Sequence, residues 1–269
     1  MMTTQELKRA KEDAVAWAPE RAPPMVVHLS DYDLPAFLRV AATFGVERYG
    51  YGVTPNADHL IRFHDDESFR GTYAHAEFVL LDSRFLAYLL RLTKNLSLTT
   101  CPGSDVTARL FAEVITADDS VVLIGGSPEQ ATVLSSRYGL RRLRHYDPPM
   151  GFIRDPGAVE KCLQYIEQES PFRFCLLAVG SPQQETLARA LQIRGRARGL
   201  ALCVGASINF LTGTEQRAPR WMQKSGIEWL YRLMRNPSRM VKRYLVRGPR
   251  IFFLLPKLRF AKKTPRLPA

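Results

Sequence analysis

Short apolar runs punctuate the chain, each ending at a turn-forming residue. EFVLL (77–81) stops at Asp82, VVLI (121–124) at Gly125-Gly126-Ser127-Pro128, FCLLAV (174–179) at Gly180-Ser181-Pro182, and LALCV (200–204) at Gly205-Ala206. Unbroken runs of this length read as strands buried on both faces. A fifth, short strand is predicted at about 48–53. Between the runs, the patterning predicts helices at about 34–44, from Thr54-Pro55-Asn56 to about His64, near 67–75, over 84–92, and over 105–117. Two more run from Pro128 to about Arg137 and from the Gly180 turn to about Gln192. Asp33 is the expected N-cap of the first helix, with Pro35 in its first turn. The stretches after 124 and 179 repeat one design: Gly-Ser-Pro, then Gln three residues after Ser. Ser127 and Ser181 are expected as N-caps, Pro128 and Pro182 as first helical residues, and Gln130 and Gln184 in the capping-box position.

Strands alternating with helical crossovers predict an α/β fold, a Rossmann-like parallel sheet flanked by helices. The organisation reads as 1–44, an N-terminal leader and first helix; 45–212, an α/β core; and 213–269, a basic amphipathic α-helical appendage. With 46% apolar and 24% charged residues, the 269-residue chain is expected to fold throughout rather than remain disordered. The four cysteines, Cys101, Cys162, Cys175 and Cys203, form no CxxC pair, which excludes a zinc ribbon, argues against a disulfide scaffold and fits a reducing, cytoplasmic setting. The first 25 residues lack the apolar stretch of a signal peptide, and IFFLL (251–255) falls far short of the ~20 residues needed to span a bilayer.

Charge sharpens the division. From Gly213 onward, 15 Lys/Arg face only Glu215 and Glu228, a net +13; since the whole chain carries +12, the first 212 residues sum to −1. Such polarity points to an anionic partner. Trp221, Trp229, Tyr231 and Tyr244 interleave with Lys224, Arg232, Arg235 and Arg243 in the same segment. Basic and aromatic side chains on amphipathic helices suit the headgroup layer of a membrane. The segment carries no nucleic-acid-binding signature, so a basic nucleotide- or nucleic-acid-binding protein without catalytic activity is the alternative reading.

Open parallel sheets bind ligands beyond the carboxyl ends of their strands. There stand Asp82 and three small-residue turns: Gly125-Gly126, Gly180-Ser181-Pro182 and Gly205-Ala206. Glycine lets backbone N–H groups approach a phosphate, so these turns are candidates for nucleotide binding. Neither GxGxxG nor a P-loop is present. Asp82 is the best placed carboxylate for proton transfer, although it could instead cap the helix that follows. Asp31-Tyr32-Asp33 has the form of a metal-binding DxD motif but falls where a helix cap is expected. Histidines 28, 59, 64, 75 and 145 show no metal-ligand spacing.

From about 50 to 250 the chain resembles the WecG/TagA/CpsF group, glycosyltransferase family 26. The resemblance rests on Thr54-Pro55-Asn56-Ala57-Asp58-His59, Asp82, Gly103-Ser104-Asp105, Leu123-Ile124-Gly125-Gly126, Gly180-Ser181-Pro182-Gln183-Gln184-Glu185 and Val204-Gly205-Ala206. It continues through Asn209-Phe210-Leu211-Thr212-Gly213, Arg217-Ala218-Pro219-Arg220-Trp221-Met222-Gln223-Lys224 and Glu228-Trp229-Leu230-Tyr231-Arg232-Leu233.

This resemblance implies an inverting, metal-independent, cofactor-free transfer of a sugar from a UDP-sugar to an undecaprenyl-diphosphate-linked saccharide, on the inner face of the cell membrane, in exopolysaccharide or surface-glycan synthesis. It implies Asp82 as general base, with Thr54, Asn56 and Gln184 in the same pocket. Arg232, Arg239 and Lys242 match positions that stabilise the departing UDP. The expected partners are therefore the donor, the polyprenyl-diphosphate acceptor and an anionic membrane surface, not nucleic acid; a homo-oligomer is left open. Three departures stand out. Leu81-Asp82-Ser83 replaces Pro-Asp-Gly, Gln183-Gln184-Glu185 replaces Lys-Gln-Glu, and Thr100 replaces an Arg for which Arg84 is the available substitute. A member lacking activity is the third reading that Thr100 raises. Deleting residues from about 214 onward is expected to abolish activity and leave a folded core.

Overall fold

A computed structural model describes residues 25–263; the rest of the leader, 1–24, lies outside the described residues. In chain order the strands are β1 (Val26–Ser30), β2 (Tyr49–Val53), β3 (Phe78–Val79), β4 (Val121–Ile124), β5 (Leu143–Tyr146), β6 (Phe174–Leu177), β7 (Gly199–Cys203) and β8 (Arg259–Lys263). Six of them form one parallel sheet in the order β3-β2-β7-β6-β4-β5, flanked by helices, so the predicted α/β class is the observed one.

All residues of β4, β6 and β7 are buried, as their unbroken apolar composition requires. Alternate residues supply two cores. Val122, Ile124, Cys175, Leu177, Ala201 and Cys203 pack into one layer, and Val121, Leu123, Phe174, Leu176, Leu200 and Leu202 into the other. All four cysteines are buried and free. Register aligns Ile124 with Leu177, Leu177 with Cys203, and Val53 with Val79. The strands thus end along one edge, and the loops at 54–56, 80–83, 125–127, 178–182 and 204–206 all leave from it.

The helices follow their start signals. Asp33 Oδ1 accepts the Ala36 N–H at 2.7 Å and opens Leu34–Thr43. Ser127 and Gln130 form the expected capping box, at 3.3 and 3.0 Å. The parallel expectation for Gln184 is corrected. Helix Gln183–Arg194 starts with Pro182 in the cap position and no side-chain cap, and the Gln184 amide turns to other partners described below. The helix expected at 105–117 spans Gly103–Glu113, because the Val114 and Ile115 N–H groups both return to Leu110 O. Sequence patterning misses β5, whose LRHY is a half-exposed edge, and helix Pro156–Gln168, capped by Asp155. It also misses β1 and β8, because parallel pairing of the two ends of the chain leaves no local signal.

The basic segment is helical, as expected: Arg220–Lys224, Glu228–Arg235, Pro237–Val241, a π-helical stretch Lys242–Arg247, and Arg250–Leu254. It is not separable from the core. Ile251, Leu254, Leu255 and Leu258 are at most 6% exposed and share a layer with Leu29, Phe63, Leu86 and Leu90. Arg250 holds Asp65 through two bonds, at 2.8 and 3.0 Å, and Lys262 holds Asp31 at 2.7 Å. The expectation of a folded core after deletion from 214 therefore fails on physical grounds: the deletion would remove part of that core.

Candidate active site

The site is built where β2 and β3 end. Pro55 O accepts the Asp82 N–H at 3.1 Å, and Leu81 O accepts the Cys101 N–H at 2.8 Å, so the backbone around Asp82 is pinned on both sides. Ser83, not Asp82, caps helix Arg84–Lys94, its Oγ receiving the Leu86 N–H at 3.2 Å. The Asp82 carboxylate is left to accept the Gly103 N–H at 2.7 Å, at the start of helix Gly103–Glu113, whose cap position Pro102 offers no side-chain acceptor. Gly103 leaves little room for a side chain: a β-carbon there would sit 3.0 Å from Thr54 Oγ1 and press on that side chain. Thr54 thus packs against the turn that presents its N–H to Asp82.

Asp82 is half-buried and lines a cavity of about 420 Å³. The core contributes Asn56, Asp58, Arg84, Phe85, Ser104 and Asp105 to its wall; the basic segment contributes Arg217, Glu228, Trp229, Arg232, Arg243 and Tyr244. Burial raises the pKa of Asp82 above the usual aspartate value. The Gly103 N–H, Arg232 and Arg243 oppose the rise, Glu228 adds to it, and the net shift is upward. A carboxylate of raised proton affinity is a better base near neutrality.

Of the four arginines on the cavity wall, three stand beside a carboxylate. Arg217 Nη1 donates to Asp105 Oδ1 at 2.5 Å. Arg232 donates to Glu228 Oε1 from Nη2 and Nε, at 2.6 and 3.0 Å, and lies 5.3 Å over the Phe210 ring. Arg243 sits 3.5 Å from Asp58 and donates to Asn56 Oδ1 at 3.4 Å. The buried Nε groups of Arg217 and Arg243 donate no hydrogen bond. Together these residues can remove a proton from a hydroxyl and balance negative charge within one enclosure.

Of the residues singled out from sequence, Asp82, Asn56, Arg84, Ser104, Asp105 and Arg232 line this cavity, with Thr54 and Gly103 beside it. Arg84 donates to Gln223 O of the basic segment at 2.9 Å. Gln184, only 4% exposed, does not line the cavity; its Oε1 accepts the Gly205 N–H at 3.0 Å. Gly125, Gly126, Gly180, Ser181, Pro182, Gly205 and Ala206 border the same sheet edge outside the cavity wall. Gly125 has φ +86°, and a β-carbon there would meet Val179 Cγ1 at 2.9 Å, so the close approach of the turns after β4 and β6 requires glycine at this position. Lys242 is exposed and off the wall. Arg239 belongs to helix Pro237–Val241, but its side chain lies outside the described part of the structure. Arg243, given no role in the sequence reading, lines the wall instead, near the start of the π-helical stretch at 242–247. Arg217 was legible within Arg217-Ala218-Pro219-Arg220-Trp221, though without an assigned role.

Asp31 and Asp33 serve the fold. Asp33 caps its helix, while Asp31 accepts the Thr99 N–H at 3.0 Å and pairs with Lys262. Among the described residues, no three His, Cys, Asp or Glu side chains group as metal ligands.

The sequence model of the glycosyl transferase WecG/TagA/CpsF family matches residues 25–265. The chain belongs to this family. The match runs from β1 to β8, so this WecG/TagA/CpsF glycosyltransferase includes the basic segment and the arginines it brings to the cavity. Membership sets a transferase above a non-catalytic basic binder as the reading of the site. Among its described residues no helix is long and apolar enough to cross a membrane.

Proposed function

We propose that the protein is an inverting, metal-independent glycosyltransferase that moves a sugar from a UDP-sugar to a polyprenyl-diphosphate-linked saccharide, peripherally on the inner face of the cell membrane, for a surface glycan. The observation that carries this reading is a carboxylate of raised pKa in a cavity whose roof supplies three arginines. Asp82 takes the proton of the acceptor hydroxyl as its oxygen bonds to the anomeric carbon from the face opposite the leaving group. The bond from that carbon to the UDP oxygen breaks, and its electron pair leaves with the diphosphate. Arg217, Arg232 and Arg243 supply N–H donors and positive charge for that diphosphate. The glycine turns after β4, β6 and β7 offer backbone N–H groups to the nucleotide.

The mixed wall supports a lipid-linked acceptor. Besides its charged residues, the wall also carries Phe85, Trp229, Leu245, Ile251 and Phe252. Next to these, Phe253, Val246 and Leu245 are 76%, 64% and 55% exposed, amid Lys242, Arg247 and Lys257. Exposed apolar side chains beside cations along the chain suit an anionic lipid surface. UDP release from a panel of UDP-sugars, with a short-chain lipid-diphosphate sugar as acceptor, tests the reading. One donor is expected to support acceptor-dependent release that chelator leaves unchanged. Release from none, or release abolished by chelator, contradicts it.

The two neighbouring cations separate in a paired measurement. Arg243→Ala is expected to lower kcat/KM roughly 10–100-fold, the loss of a charge-assisted contact. Lys242→Ala should leave turnover on a soluble acceptor within about twofold and weaken vesicle binding about fivefold, the worth of one cation near anionic lipid. Equal losses of turnover would contradict the assignment.

A further inference from the structure

One helical turn behind Asn56 lies a buried polar pair that the transfer chemistry leaves unused. His59 and Glu185 are 8% and 1% exposed, with Nε2 3.9 Å from Oε1. Around them are Phe69, stacked on His59 at 6.2 Å, and Tyr73, 5.1 Å from Phe69. Two apolar side chains would fill such a space with less desolvation cost, and Glu185 Oε2 has no hydrogen-bond partner, so the pair's role is sought in what it holds.

Its contacts form a line. Arg243 Nη2 donates to Asn56 Oδ1 at 3.4 Å, and the Asn56 N–H donates to His59 Nδ1 at 3.1 Å. With Nδ1 an acceptor, the neutral ring carries its proton on Nε2, which faces Glu185 Oε1. Burial, reinforced by the Arg243 and Arg62 cations, pushes the His59 pKa down to about 3 and keeps the ring in that neutral form. The same Glu185 oxygen accepts Gln184 Nε2 at 2.9 Å, and Gln184 Oε1 accepts the Gly205 N–H at 3.0 Å.

We propose that His59 and Glu185 are positioning residues, coupling the Asn56–Arg243 contact in the cavity to the Gln184–Gly205 contact at the turn after β7. The cationic roof and the nucleotide turn are thereby held in one register. The purpose given to this coupling rests on the glycosyltransferase reading; the contacts themselves do not.

The test uses the full chain, amide hydrogen exchange followed by NMR, and UDP as the probe ligand. His59→Leu, which replaces a residue bonded to neither Gln184 nor Gly205, is expected to speed exchange of the Gly205 amide at least tenfold and weaken UDP binding at least fivefold. His59→Asn, whose Oδ1 can stand in for Nδ1, should keep the Asn56 amide slow while Gly205 remains fast. Glu185→Gln, which retains an acceptor for both neighbours, should keep both amides slow and UDP affinity within about twofold. Wild-type exchange at Gly205 in His59→Leu overturns the proposal. Should that variant fail to fold, wild-type exchange at Gly205 in His59→Asn overturns it equally. Coupled exchange in a wild-type chain that does not bind UDP upholds the pair and removes the nucleotide-sugar reading instead.

Discussion

Asp82→Asn is expected to cut turnover by roughly 10²–10⁴, the usual worth of a positioned general base, while UDP affinity stays within about threefold. Asparagine keeps the shape and an Oδ1 acceptor, so the 2.7 Å bond from the Gly103 N–H can persist and the fold should not change. The amide has no proton affinity to offer an attacking hydroxyl, whereas the arginines proposed to meet the diphosphate are untouched. Steady-state kinetics and UDP titration on the same preparation separate these effects. A variant that loses turnover and UDP affinity together would assign Asp82 to nucleotide binding; one that loses neither would remove it from the reaction.

Ending the chain at Gly213 is expected to abolish cooperative folding, not activity alone. The cut removes Ile251, Leu254, Leu255 and Leu258 from the layer they share with Leu29 and Leu86. At ~1.5–3 kcal/mol for each buried side chain, the four contribute roughly 6–12 kcal/mol, comparable with the ~5–15 kcal/mol that holds an entire domain folded. The cut also leaves β1 without β8, its partner from Val26↔Arg259 to Ser30↔Lys263. Thermal unfolding with near-UV circular dichroism should show no sharp transition, together with exposed apolar surface. A monomeric product with a sharp transition would show that the basic segment is an attachment after all. Phe253→Ser is the better probe of the proposed lipid contact, since its side chain is 76% exposed.

The sheet was legible because β4, β6 and β7 are buried on both faces and their sequences are unbroken apolar runs. Asp82 was legible for a related reason: a single acid at the end of such a run has the cleft as its natural outlet. Whether it capped the next helix was not legible, since Ser83 and Asp82 are both good caps; only the structure gives that task to Ser83. Gln184 misled because Gly-Ser-Pro occurs twice, yet the second helix begins one residue later and its Gln is drawn to Gly205 and Glu185. Arg243 was passed over because the resemblance pointed to its neighbour Lys242, and the π-helical stretch 242–247 gives no simple period from which to choose between them. The β1–β8 pairing spans nearly the whole chain, and periodicity is blind to contacts of that separation.

The most direct test of the account is the pH dependence of kcat/KM for sugar transfer. Because burial raises the Asp82 pKa above the usual aspartate value, a base at this position would ionise at higher pH than a solvent-exposed aspartate. The account predicts that activity rises with pH along an acid limb displaced upward from that of a solvent-exposed aspartate, and that Asp82→Asn erases this limb. A limb at the ordinary aspartate value, or the same displaced limb persisting in Asp82→Asn, would contradict it.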